Sequence, residues 1–250
     1  MDPLAEEYTP LSSYAYVANN PLLFFDPDGQ RIDVSLLLKG EDGKVDKGNL
    51  LLLGRMLSDL SNITGRDIGI SGGKLVMGKK NDSQNISKLA RLLLNELINS
   101  ADVIKVTPSD ETGVPRRTNE LRVDAAEMFG YARAGKEAGL DEKTMSVGLT
   151  FIHETLHTEL GHKVTNKESG YYDHAGKSDY KPGNAVRFVN RIRRQMGLRE
   201  RGNDNPSDAV PYLFFEIKGK LHNNRIEVYR NSWQKWKKVY AEQFKSYDKK

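Results

Sequence analysis

The chain has 250 residues, a net charge of +4 and no cysteine. That length supports one substantial core, or a core with an appendage, and the absence of cysteine excludes a disulfide framework and leaves any metal site to nitrogen and oxygen ligands. No apolar run approaches the roughly 20 residues of a membrane-spanning helix, no basic-then-apolar leader opens the chain, and the mild, scattered positive charge gives no reason to expect a nucleic-acid partner.

Residues 1–30 differ in character from the rest. Ser13-Tyr14-Ala15-Tyr16-Val17-Ala18-Asn19-Asn20-Pro21 is followed by Phe25-Asp26-Pro27-Asp28-Gly29, a series rich in turn-forming pairs. In order and spacing it resembles the end of the core domain of RHS-repeat (YD-repeat) proteins. That core closes on a Y-x-Y-x-x-N-N-P stretch and a D-P-x-G boundary. The resemblance implies a division near residue 30, with the end of an RHS-associated core before it and a variable toxin domain over 31–250. It also implies a bacterial producer that secretes the chain or delivers it into a target cell. An encapsulating RHS shell, a cognate immunity protein and cleavage near Asp26-Pro27-Asp28-Gly29 belong to the same implication.

Downstream, leucines at helical spacing predict a helix over Asn49 to Asn62, with Gly65 beyond its end. Asp67-Ile68-Gly69-Ile70 and Lys74-Leu75-Val76-Met77 read as strands joined by Ser71-Gly72-Gly73, a hairpin. Ser83 to Ser100 reads as an amphipathic helix carrying Ile86, Leu89, Leu92, Leu93 and Leu97. Val103 to Val106 reads as a strand, and Glu120 to Phe129 as another.

The most informative stretch follows: His153-Glu154-Thr155-Leu156-His157, an H-E-x-x-H motif. Two imidazoles four residues apart on a helix share a face and reach one point, where a zinc ion fits. Leu149, Ile152, Leu156 and Leu160 form an apolar stripe beside them. With Asp141 as N-cap and Gly161 as terminator, a helix of about 18 residues from Lys143 to Leu160 is expected. Glu154, displaced around the helix from both histidines, is placed to act as general base toward water.

A catalytic zinc takes a third protein ligand. The other histidines are His162, His174 and His222. His162 follows His157 by five residues, and on a continuing helix that turns it about 140° away. The metzincin pattern, with glycine three and histidine six residues after the second histidine, does not fit. His174, in the loop-like Tyr171-Tyr172-Asp173-His174-Ala175-Gly176, is favoured, with His162, Asp173 and Asp179 as alternatives. His222 lies far downstream, in a hairpin. Tyr171, Tyr172 and Tyr180 are candidates to donate to an oxyanion.

Asn184 then reads as the cap of a helix running through Met196, with Gly197 as its stop. Leu213 to Ile217 and Arg225 to Tyr229 read as a pair of strands. The tail from Trp233 carries Trp236, Tyr240 and Phe244 at spacings that suit a helix packing its aromatics inward. Helices and strands segregate, so the expected class is α+β. Strands followed by an H-E-x-x-H helix resemble, in layout and motif, the zincin peptidases. The resulting expectation is a zinc metallopeptidase toxin acting on protein or peptide, with His153, His157 and His174 on Zn2+ and Glu154 catalytic. A zinc amidase or cell-wall hydrolase toxin, and a non-catalytic metal-binding module, are the alternative readings.

Overall fold

The computed structural model describes residues 32–40, 43–165, 183–202, 212–217 and 225–248. The 1–30 segment with its Asp26–Gly29 boundary lies outside them, as do Tyr171, Tyr172, Asp173, His174, Asp179, Tyr180 and His222.

The architecture is α+β, as expected, with a mixed sheet. Strands β1 (Ile32–Asp33), β2 (Arg66–Ser71), β3 (Lys74–Lys80), β4 (Ile104–Pro108) and β5 (Glu120–Val123) form a sheet in the order β2-β3-β1-β4-β5. β1, β4 and β5 run parallel, whereas β3 is antiparallel to both its neighbours. The β2–β3 hairpin turns through Gly72 and Gly73, both at positive φ (55° and 79°), where a side chain would be strained.

Helix α1 (Ser35–Leu38) is short, and α2 (Lys47–Thr64) covers the first predicted helix. The Asp46 carboxylate caps the start of α2 and left-handed Gly65 ends it. Helix α3 spans Lys88–Ile98, shorter than the predicted Ser83 to Ser100. Its start is fixed by the buried Ser87, whose hydroxyl accepts from Ala90 N–H at 3.1 Å.

The strand expected over Glu120 to Phe129 stops at Val123. Asp124 then caps α4 (Ala125–Glu137), its carboxylate accepting from Glu127 N–H at 3.0 Å. Apolar residues in 125–129 therefore occupy one face of a helix. Helices α5 (Val147–Thr155), α6 (Glu159–Val164) and α7 (Asn184–Gln195) follow. A second sheet of β6 (Glu200–Arg201), β7 (Tyr212–Glu216) and β8 (Ile226–Tyr229) precedes the terminal helix α8 (Arg230–Asp248). β7 and β8 pair antiparallel as expected, with Tyr212 opposite Tyr229.

One apolar core joins the first sheet to α2, α3, α5 and α7. Val147, Leu149, Phe151 and Ile152 of α5 are all within it and at most 1 % exposed. Each such side chain contributes about 1.5–3 kcal/mol on burial, so α5 is held by packing on its apolar side. A smaller core joins α4, the turn around Leu140 and Met145, the second sheet and Trp233 of α8. α8 lies along α4 with Phe129, Tyr240 and Phe244 in mutual ring contact, so the tail aromatics do pack inward.

Candidate metal centre

The histidine pair sits where a helix gives way to a turn. The single helix expected from Lys143 to Leu160 is instead two, and its start is later. Asp141 does not cap it: its carboxylate accepts from Lys143 N–H at 2.8 Å and its carbonyl from Thr144 N–H at 2.9 Å, closing a separate turn. The cap of α5 is Ser146, whose hydroxyl accepts from Leu149 N–H at 3.3 Å. Asp59, reaching from α2, accepts from Gly148 N–H at 3.1 Å. Two of the N–H groups orphaned at this helix start are thereby satisfied, and a carboxylate lies at the positive end of the helix dipole.

At the other end the helix tightens. His157 N–H donates to the Glu154 carbonyl at 3.0 Å and Thr158 N–H to that of Thr155 at 3.2 Å, three-residue steps in place of four. Thr158 then caps α6, accepting from Gly161 N–H at 2.9 Å. Gly161 is thus inside α6 and does not terminate a helix. It is needed for another reason: a Cβ there would lie 2.0 Å from the Thr155 carbonyl oxygen. Only glycine lets α6 fold back against the last turn of α5. Thr118 and Asn119, just before β5, accept from Glu159 and Leu160 N–H at 3.0 and 2.7 Å, tying α6 to the first sheet.

His153 on α5 and His157 in the turn converge. Their Nε2 atoms are 3.2 Å apart, with ring centroids 4.9 Å apart and planes at 78°. Two nitrogens bound to one tetrahedral zinc at about 2.0–2.1 Å would be separated by about 3.3 Å, so the pair fits that ion. His162, on α6, does not join them: among the described residues no three His, Cys, Asp or Glu side chains form a group able to hold a metal.

Burial holds the His153 imidazole well below its ordinary value, and positive charge from His157, Arg201 and Arg193 acts in the same direction. A neutral imidazole is the form that binds metal. Glu154 is pushed the other way: burial raises it, Glu127 adds to the rise, and His157 and Arg201 oppose it. A carboxyl moved upward is better matched to taking a proton and returning it near neutral pH.

The two arginines and their holder, Asn190, are absent from the motif and were not expected. Arg193 donates through Nε to the Thr144 carbonyl and through Nη1 to Asn190 Oδ1, both at 3.1 Å. Asn190 also accepts from Arg201 N–H at 2.8 Å and donates to its carbonyl at 2.7 Å. All three residues are buried. A signal for Arg193 did exist: it falls seven residues after Val186 and four after Val189, on the apolar stripe of α7. A charged residue on such a stripe is a buried cation. Arg201, on a two-residue strand, carries no such periodic mark.

No protein-family model matches this chain, and neither the curated proteins nor the solved structures give a match. No helix among the described residues is long and apolar enough to cross a membrane.

Proposed function

We propose that the chain is a zinc-dependent metallopeptidase of the zincin type, made as the toxin domain of an RHS carrier. The observation that carries this reading is the 3.2 Å approach of the His153 and His157 Nε2 atoms beside Glu154 on a helix end. In it His153 and His157 hold zinc, His174 supplies the third ligand, and Glu154 is the general base. Zinc, when bound, supplies a Lewis acid that polarises a peptide carbonyl and favours deprotonation of water. Glu154 takes a proton from the attacking water and passes it to the leaving amine, a double role that its upward-shifted carboxyl suits. Asp59 and Gly161 position the two ends of α5 and so fix the three motif residues relative to one another.

The toxin part of the reading is supported by the ordered motifs of residues 1–30, and it brings with it a bacterial producer, delivery to a target cell and an immunity partner. Zinc-loaded wild-type chain should release peptides from denatured casein, and Glu154→Gln should keep its zinc while losing at least about 100-fold in rate, the scale of a missing general base. Cleavage by Glu154→Gln at the wild-type rate contradicts the mechanism. Release of fragments from murein and none from casein shifts the reading to the cell-wall hydrolase.

A further inference from the structure

Helix α6 has six residues, too few to hold its place unaided, and its start is held largely from outside. The N–H groups of Glu159, Leu160 and Gly161 have no partner within the helix. They meet the Thr118 carbonyl at 3.0 Å, Asn119 Oδ1 at 2.7 Å and Thr158 Oγ1 at 2.9 Å. Two of these acceptors belong to the residues just before β5, and Asn119 reaches Leu160 across a sequence separation of 41 residues.

Those two residues are themselves tied down. Lys105 N–H donates to the Asn119 carbonyl at 2.8 Å, a rung of the parallel β4–β5 pairing. The Thr118 hydroxyl donates to the Pro115 carbonyl at 3.0 Å and accepts from Glu120 N–H at 3.3 Å. The chain arrives there through Arg117, whose φ of 58° lies in the left-handed region. An arginine stays in that strained conformation only where surrounding contacts over-determine it.

His157 lies between two anchored elements. α5 is fixed at its start by Asp59 and along its length by the core, and these hold His153. His157 stands two residues beyond Thr155, the last of α5, and immediately before Thr158, the cap of α6. Where α6 starts therefore decides where the second imidazole stands relative to the first.

We propose that Asn119 is a positioning residue of the metal centre: its Oδ1 fixes the start of α6, and α6 sets His157 Nε2 against His153 Nε2. This rests on the reading of His153 and His157 as metal ligands. One imidazole is thereby placed from α2 and the other from the first sheet.

The test compares Asn119→Ala, Asn119→Ser and Asn119→Asp with the wild-type full chain. Aspartate keeps an acceptor oxygen at the same place and serves as the rescue, whereas the serine hydroxyl falls one atom short. Asp46→Ala, which strips the cap from α2, is the control for lost stability alone. Zinc affinity is read by competition with a chelator, at a temperature where the chains are folded. It should fall about ten-fold in Asn119→Ala, the lower end of the effect of outer partners on metal sites. It should fall less in Asn119→Ser, return in Asn119→Asp and keep its wild-type value in Asp46→Ala. Absorption of bound Co2+, which reports ligand geometry, should change in Asn119→Ala and not in Asp46→Ala. In the metal-free chains, amide hydrogen exchange at residues 157–161 should quicken in Asn119→Ala, more than in α2, and not in Asn119→Asp. Wild-type zinc affinity in both Asn119→Ala and Asn119→Ser overturns the proposal, and so does unchanged exchange at residues 157–161. A wild-type chain that takes up no zinc ends the metal reading instead, and the exchange then decides the placing of His157 by itself.

Discussion

The carboxylate of Asp59, on α2, accepts a hydrogen bond from the Gly148 N–H of α5 at 3.1 Å, across a sequence separation of 89 residues. It is only 9 % exposed and also meets Arg55 at 2.9 Å. The contact anchors the start of the helix that carries His153 and Glu154. Asp59→Ala removes the acceptor and leaves a buried N–H, so a stability loss of about 1–3 kcal/mol is expected in urea unfolding. An unchanged urea midpoint contradicts this role.

The same carboxyl predicts a pH dependence. Burial raises it above its ordinary 3.8, with the Gly148 N–H and Arg55 acting against the rise. The folded state therefore binds this proton more tightly than the unfolded chain does. Its contribution is fully present below the unfolded value and is lost as pH rises through the folded one. Asp59→Asn keeps an acceptor oxygen and cannot titrate. The stability of wild type relative to Asp59→Asn should fall as pH rises from about 4 and then level off. Urea midpoints of the two chains that run parallel through acid pH contradict the shift.

At the opposite end of α5, Gly161→Ala would place a methyl 2.0 Å from the Thr155 carbonyl oxygen. α6 must then move away, taking with it the turn that carries His157. Overpacking of this kind costs about 1–3 kcal/mol. The variant is expected to unfold at lower urea and to bind zinc less tightly, as read by competition with a chromophoric chelator. Wild-type zinc affinity in Gly161→Ala contradicts the dependence of His157 on this contact.

Much of the fold was legible because its signals are local. The α2 leucine period, the Gly72–Gly73 turn and the helix ending before Gly197 each combine a period with its punctuation, and each forms; only the start of α7 differs, with Gly183 at the cap position, Asn184 inside the helix and no side-chain cap hydrogen bond. Sequence and structure part where two local signals compete. Asp141 and Ser146 both offer a cap, and the choice is made by Asp59, which only the folded chain brings to Gly148. In 120–129 the strand-like residues conceal the Asp124-x-x-Glu127 cap, a signal present in the sequence and outweighed there by apolar alternation. Gly161 looks like a helix stop in sequence because the other reason for a glycine, close approach of two backbones, leaves no local trace.

The site divides in the same way. His153, Glu154 and His157 were legible because four-residue spacing is converted directly into convergence by a helix. Exclusion of His162 from their group follows from the turn at Thr158, which the sequence marks only by a threonine. The Asn190–Arg193–Arg201 cluster depends on contacts between α7, β6 and the turn before α5, and such contacts have no spacing to read.

Asn190 should therefore matter more than its anonymity in the sequence suggests. Its side chain makes three hydrogen bonds, two to the Arg201 main chain and one to Arg193. Asn190→Ala leaves those groups buried without partners, and a loss of about 2–4 kcal/mol is expected from adding the costs of the stranded groups. Asn190→Asp, which keeps the acceptor and adds a charge beside Arg193, should be milder. Thermal unfolding of the two variants side by side reads the difference, and equal melting temperatures contradict it.

Elemental analysis of zinc per chain decides whether His153 and His157 are zinc ligands. Wild type is compared with alanine variants at His153, His157, His162 and His174. About one zinc per chain is expected, lost in His153→Ala, His157→Ala and His174→Ala and kept in His162→Ala. Wild-type chain that takes up no zinc after reconstitution, or a full complement in His153→Ala, would contradict it.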